Sequence, residues 1–206
     1  MISARLVSEE EDLLLVSKGA QAIRFHATDD SLRPMGRATS GVIGMRFGDG
    51  DELLGMYVVR EGEDVLVATG NGYAKRTPAD AYPVQGRGGR GVVTAKIVEA
   101  RGELVGALMV TATDEIFAIT SGGGVIRTRA GEVKQSGRQT MGVRLMNLAS
   151  GDSVVGLALN AESQGDAEVA DEDDDQGIAV DAPDSADLTG EADLPGLGAE
   201  PADDEE

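Results

Sequence analysis

The sequence predicts an all-β fold of propeller-type, four-stranded blades, three of them in succession, followed by a disordered acidic tail. Three observations lead there. The pair Gly-Arg recurs at Gly36-Arg37, Gly86-Arg87 and Gly137-Arg138, and four residues after each Arg comes Gly-Val, at 41–42, 91–92 and 142–143. Between these landmarks the apolar runs are short, from Leu13–Val16 to Leu53–Val59, and turn residues bound them, so they read as strands rather than helices. All 18 Lys and Arg lie between Arg5 and Arg144, whereas residues 161–206 hold 18 acids and no base. A period of about fifty residues with four short strands is the mark of a blade.

Taken in order, residues 1–11 contain a lone apolar strand, Ile2–Val7, with no counterpart in the repeats. The first blade, about 12–62, has strands at Leu13–Val16, Ala22–Phe25, Val42–Phe47 and Leu53–Val59, with Lys18-Gly19 and Gly48-Asp49-Gly50 as turns. The second, about 63–113, runs from Val65–Ala68 through the Asn71-Gly72 turn to the basic strand at Lys75-Arg76-Thr77. It continues with Val92–Ile97 and Glu103-Leu104-Val105-Gly106. The third, about 114–160, repeats the plan with Ile116–Ile119, the turn Gly122-Gly123-Gly124, Arg127-Thr128, Gly142-Val143 and Ser153-Val154-Val155-Gly156. Glycine in these turns permits the positive φ that tight hairpins require. Closed propellers usually carry four to eight blades, so 1–160 is expected to be part of a longer array. Residues 161–206 are Asp, Glu, Ala, Gly and Pro with scattered aliphatics, too little apolar surface to offset chain entropy.

The acidic pI of about 4.3 belongs to that tail, because residues 1–160 contain 18 bases against 19 acids. A nearly neutral body can still cluster its cations on one edge. With no Cys, a disulfide framework, thiolate catalysis and Cys-ligated zinc are excluded, and the lone His26 forms no metal site and reads as a rim or turn residue. No apolar run approaches the roughly 18 residues of a membrane span, so a soluble cytoplasmic protein is expected. Only six aromatics are present, which argues against base-stacking platforms, and Tyr57, Tyr73 and Tyr82 read as packing residues. The run Asp171–Asp175 lacks the Gly and terminal Glu of a calcium loop and reads as solvated charge.

The densest motif is Gln85-Gly86-Arg87-Gly88-Gly89-Arg90-Gly91, leading into Val92-Val93. Gly86, Gly88 and Gly91 match GxGxxG, but a dinucleotide site needs a helix to open there and an acid about 20 residues on, whereas β-branched residues follow and Glu103 comes after twelve. A loop in which glycines admit a phosphate close to the backbone, with Arg87 and Arg90 beside it, fits a duplex backbone better. Side-by-side blades would place Arg37, Arg87 and Arg138 on one rim. A second recurring row would hold Arg24, then Arg76 with Lys75, then Arg127 with Arg129. Such a rim can bend DNA without reading bases.

Over residues 2–160 the sequence resembles the C-terminal domain of the DNA gyrase A protein and its relative in topoisomerase IV. The stretches that carry the likeness are Gly70–Thr77, Val125–Arg129, Gly137–Val143 and above all Gln85–Gly91, which is similar to the gyrase box, with Gly86 where a basic residue is usual. It is closer in kind to the additional box of actinobacterial gyrases. The resemblance implies a six-bladed β-pinwheel whose neighbouring blades exchange edge strands, with DNA wrapped around a basic perimeter. It also implies that this chain is the last three blades and is not itself an enzyme. The catalytic tyrosine, metal-binding acids and ATP site would lie elsewhere, in the remainder of the gyrase A protein or in the gyrase B protein of an A2B2 assembly, so no cofactor is expected here. The corresponding domain of topoisomerase IV, or a protein-interaction propeller whose arginines meet an acidic partner, are the other readings.

Overall fold

The computed structural model describes residues 2–160; the acidic tail, Asp171–Asp175 included, lies outside the described residues. Eleven strands and three short 3-10 turns are present among these residues, arranged in three antiparallel sheets. β1 (Asp12–Ser17), β2 (Gln21–His26) and β3 (Leu53–Val59) belong to the first repeat. The second repeat contributes β4 (Asp64–Thr69), β5 (Tyr73–Pro78), β6 (Val92–Val93) and β7 (Leu104–Val110). The third contributes β8 (Glu115–Thr120), β9 (Val125–Arg129), β10 (Val143–Arg144) and β11 (Val154–Leu159).

The sheets do not coincide with the sequence repeats. Their orders are β3-β1-β2-β6, β10-β5-β4-β7 and β11-β8-β9, so the two complete sheets each take their fourth strand from the next repeat. β6 pairs Val92 with Ala22 and Val93 with Gln21, and β10 pairs Val143 with Ala74 and Arg144 with Tyr73. Exchange of edge strands, which the family resemblance implied, is therefore present at both junctions.

It also accounts for two departures from the sequence reading. Residues 42–47, the expected third strand of the first repeat, form no strand: their equivalents in the later repeats pair with the repeat before, and the described residues offer 42–47 no such partner. The third sheet, whose fourth strand would come from a following repeat, has three strands among the described residues. The segment Val92–Ile97 is a strand only at Val92–Val93; beyond it the chain turns inward, burying Thr94 and Ala95. Nor is Ile2–Val7 a strand: nothing pairs with its backbone, and Leu6 is fully exposed.

The blades pack face to face through alternate residues of their central strands. Leu14 and Val16 of β1 meet Val65 and Val67 of β4 in one cluster, while Leu66 and Ala68 on the opposite face of β4 meet Ile116 of β8 in a second. This double burial explains why β4 is a continuous apolar run with no polar face. The outer face of β1, Leu13 and Leu15, is covered by Phe25, Ala27 and Met45, so the strandless 27–47 segment closes the first blade. On the third blade Ile119, Val125 and Val155 remain exposed. Tyr82 is 2% exposed and its hydroxyl is hydrogen-bonded to Thr94, in keeping with a packing role. Burial raises Tyr57 to about 12.

Candidate nucleic-acid interface

The second and third Gly-Arg loops each lie on the backbone of the repeat before. In the second repeat the Gly88 N–H donates to Gly44 O at 2.7 Å and the Arg46 N–H donates to Gly89 O at 2.8 Å; in the third, the Lys96 N–H donates to Thr140 O at 3.0 Å. The arginine of the pair clamps the same junction. Arg87 Nε donates to Ser31 O at 2.5 Å and one of its terminal nitrogens to Ile43 O at 3.2 Å, while Arg138 donates to the equivalent carbonyl, Val93 O, at 3.3 Å. Arg87 and Arg138 are consequently half-buried. Arg37, with no earlier repeat among the described residues to dock on, is exposed.

The glycines serve this docking. A Cβ on Gly91, at φ +76°, would stand 2.1 Å from Ala22 O, and one on Gly142, at φ +77°, would stand 2.6 Å from Ala74 O. Close backbone contact is what these positions require, and the close approach is by the neighbouring repeat. Gly86 has nothing within 4 Å of its Cβ direction and Gly89 and Arg90 are exposed, so that part of the loop stays open to a partner. Gln85 is half-buried, with its N–H donating to Arg24 O at 2.8 Å.

The second basic row expected from sequence is an interior one at Arg24, Lys75 and Arg76 and reaches the surface at Arg127 and Arg129. Arg24, Arg76 and Arg127 are repeat-equivalent, and each pairs with an acid twelve residues earlier: Asp12 at 2.7 Å, Asp64, and Glu115 at 2.5 Å. Arg24 also donates to Ala79 O at 3.0 Å, and Arg76 to Val133 O at 3.0 Å and Gly131 O at 3.4 Å. The arginine thus ties its blade to the 3-10 turn of the next, at Ala79–Ala81 or Ala130–Glu132. Side-chain exposure is 17% for Arg24 and 10% for Arg76 but 60% for Arg127, which has no following blade among the described residues. Arg129 is exposed beside it. His26 bonds Asp12 through Nδ1 at 2.5 Å.

Lys75 is the most deeply placed cation, at 1% exposure. Its Nζ donates to Gly137 O at 2.8 Å, Arg138 O at 2.6 Å and, more weakly, Thr140 Oγ1 at 3.4 Å, so it fastens the third Gly-Arg loop from beneath. The corresponding residue under the second loop is Ile23. Desolvation, with the nearby Arg138 charge adding to it, lowers Lys75 from 10.5 to about 8. Since the folded value lies below the unfolded one, the unfolded chain holds more protons between these values and stability rises with pH from about 8 to 10.5. Lys75→Met should abolish this rise, seen by comparing denaturant midpoints of the two proteins at several pH values. Parallel curves would contradict the assignment.

Among the exposed cations that the sequence does not single out are Arg46 and Lys96. Arg46 and Lys96 occupy the same repeat position, five residues after Gly41 and Gly91, and hold the docked loops through their backbones. Arg46 and Arg90 line a groove with Gly19, Gln21, Gly48 and Asp51; Lys96 and Gln139 line its neighbour, again with Gly19 and Gln21. The exposed edge therefore runs from Arg46 and Arg90 to Lys96 across the exchanged strand. Among the described residues no group of acids and histidines could hold a metal ion, and no helix is long and apolar enough to cross a membrane.

Strand-exchanged, four-stranded blades stacked through aliphatic faces, with cations repeated along one edge, define a β-propeller-type repeat module. The family pattern described as DNA gyrase C-terminal domain, beta-propeller, matches residues 11–60, 63–111 and 114–160, and the chain belongs to that family. It is 62% identical over 181 residues to the DNA gyrase A protein of Streptomyces coelicolor, covering 88% of this chain and 21% of that protein. To its counterpart in Mycobacterium tuberculosis H37Rv it is 60% identical over 166 residues, covering 81% and 20%. The chain thus spans about a fifth of the length of these relatives. A solved DNA gyrase A C-terminal domain superposes with a TM-score of 0.68 at 30% identity, over 74% of this chain and 52% of that one. The C-terminal domain of DNA topoisomerase IV gives 0.71 at 22% identity, over 80% and 52%, a likeness of fold.

Proposed function

We propose that this chain is the DNA-wrapping part of a DNA gyrase A protein, comprising three blades of its pinwheel, and that it holds a bent duplex by its phosphates alone. The observation that carries the reading is the recurrence of outward cations at junctions the fold makes rigid, Arg46 with Arg90 and then Lys96, one blade apart. Arg37, Arg127 and Arg129 are exposed as well, while Arg87 and Arg138 shape the loops and present their remaining donors. Gln85, Gly86, Gly88, Gly89 and Gly91 supply the loop on which Arg90 stands. Arg24, Lys75 and Arg76 act beneath the surface, as fasteners.

Each phosphate neutralised releases counterions, so the free energy of wrapping comes largely from solution entropy and carries no sequence preference. With few aromatics and no base-reading helix, bending can be favoured without melting or reading the duplex. In the assembled enzyme, the wrap would present a crossing to the cleavage and ATPase parts in gyrase B and in the remainder of the gyrase A protein, which together would carry out supercoiling. The 18 acids of residues 161–206 are a competitor for the same cations.

Titrating the chain against two unrelated duplexes at several salt concentrations tests this. The expected result is equal affinity for both and a steep salt dependence, with Arg46→Ala plus Arg90→Ala lowering the slope by about two, one per contact. A weak slope in the parent protein, or tight binding to an acidic polypeptide in place of DNA, would overturn the reading.

A further inference from the structure

The turn between the first two strands of each sheet is capped by a residue about thirty positions ahead. Gly19 N donates to Asp51 Oδ1 at 2.7 Å in the first blade, and Gly122 N to Asp152 Oδ1 at 2.8 Å in the third. The Ser121 hydroxyl and Gly122 N–H hold Asp152 down to about 2, so this cap is firmly anionic. In the middle blade the equivalent residue is Gly102, and the residue before it is Arg101. The turn there is closed by main chain and by Asn71 itself, whose N–H donates to Arg101 O at 3.3 Å and whose side chain donates to Ala100 O at 3.0 Å. The middle blade thus lacks the capping carboxylate, and the turn does not need the guanidinium that Arg101 places beside it.

Arg101 is not alone. Its Cζ lies 4.2 Å from the centre of the Tyr73 ring, and Arg144 from the exchanged strand β10 lies 5.0 Å from the same ring. One Arg101 nitrogen donates to Met141 O and Gly142 O, both at 2.8 Å, and Arg144 donates to the Tyr73 hydroxyl at 2.8 Å. Among the described residues neither guanidinium is in an ion pair. Two like charges on one ring repel, and a tyrosine face at an exposed site offsets only part of that for each. Both retain donors that these contacts do not occupy, because a guanidinium has five. Arg144 is exposed and Arg101 half-buried. Each is already ordered, so an incoming anion is spared the cost of freezing two long side chains.

We infer that Tyr73, Arg101 and Arg144 form a phosphate clamp, a second anchorage for the duplex backbone on the middle blade, beyond the Gly-Arg loops. It rests on the DNA-wrapping reading and adds to it a fixed point where the wrap is gripped by two guanidiniums at once. Arginine suits this role because its planar fork can hold phosphate oxygens while stacking on an aromatic face.

Two measurements decide it. Arg144→Gln, at an exposed position, should weaken duplex binding on the order of fivefold at moderate salt and lower the salt slope by about one, whereas Arg144→Lys should keep the slope. In the unaltered protein, phenylglyoxal labelling read by mass spectrometry should show Arg101 and Arg144 protected by duplex, a result that does not depend on any variant folding. If Arg144→Gln binds like the parent, or if both arginines label equally with and without DNA, the clamp is refuted. Should the Arg46 and Arg90 variant still lower the slope in that case, the wrapping reading survives. If the parent protein shows no salt-dependent duplex binding, that reading itself fails.

Discussion

Asp64→Ala should cost about 3–5 kcal/mol, a large part of the 5–15 kcal/mol that holds a typical domain together. Asp64 is 6% exposed and Arg76 8%, and the carboxylate accepts from Arg76 and from Gln135 Nε2 at 3.0 Å. Removing it leaves a guanidinium stranded where water does not reach, at the junction of two blades. Glu115→Ala removes the repeat-equivalent acid opposite Arg127, whose side chain is 60% exposed, and should cost far less, as exposed pairs do. Chemical denaturation of the two variants side by side checks the contrast. A sharper form pairs Asp64→Ala with Arg76→Met, which should recover much of the loss because no buried charge then lacks a partner. Equal losses for Asp64→Ala and Glu115→Ala would mean that the arginines do not latch the blades.

The other large effect is expected at Gly91. Alanine there would face a carbonyl oxygen 2.1 Å away, with its backbone held at φ +76°, so β6 must leave Ala22 or the first blade must shift. A loss of about 3 kcal/mol or more is expected from the unfavourable backbone conformation and the lost docking together. Gly142→Ala should behave alike at the next junction, whereas Gly86→Ala, in open space, should stay within about 0.5 kcal/mol. Urea midpoints for the three variants, with amide exchange at Val92 and Val93, read this directly. Indistinguishable midpoints for Gly91→Ala and Gly86→Ala would discard the docking role.

Much of this was legible in the residues. Short apolar runs bounded by glycine placed β1, β2 and β3 within a residue of their observed ends, because a hairpin is a local decision between neighbours in sequence. Residues 42–47 were misread because their pattern suits a strand while their pairing partner lies in another repeat. The arginines were harder. Arg24, Arg76 and Arg127 look the same along the chain, and whether each is an interior latch or a surface charge depends on the presence of a following blade. Lys75 reads as basic strand surface until Gly137 and Arg138, more than sixty residues away, close over it. Arg46 and Lys96 did carry a signal, the same offset from Gly-Val in two repeats, but an isolated cation on a loop draws no attention until the loop docked on it is seen.

The phase difference between sequence repeat and sheet bears on how such an array can change length in evolution. A duplicated unit of about fifty residues arrives with three strands for its own sheet and one for its predecessor, and it leaves its own last place to be filled by whatever follows. Insertion or deletion of whole units therefore leaves every internal sheet complete, whichever residue marks the breakpoint. The vacancy stays at the termini. Gene duplication can lengthen or shorten the cationic track blade by blade, without having to invent a new edge.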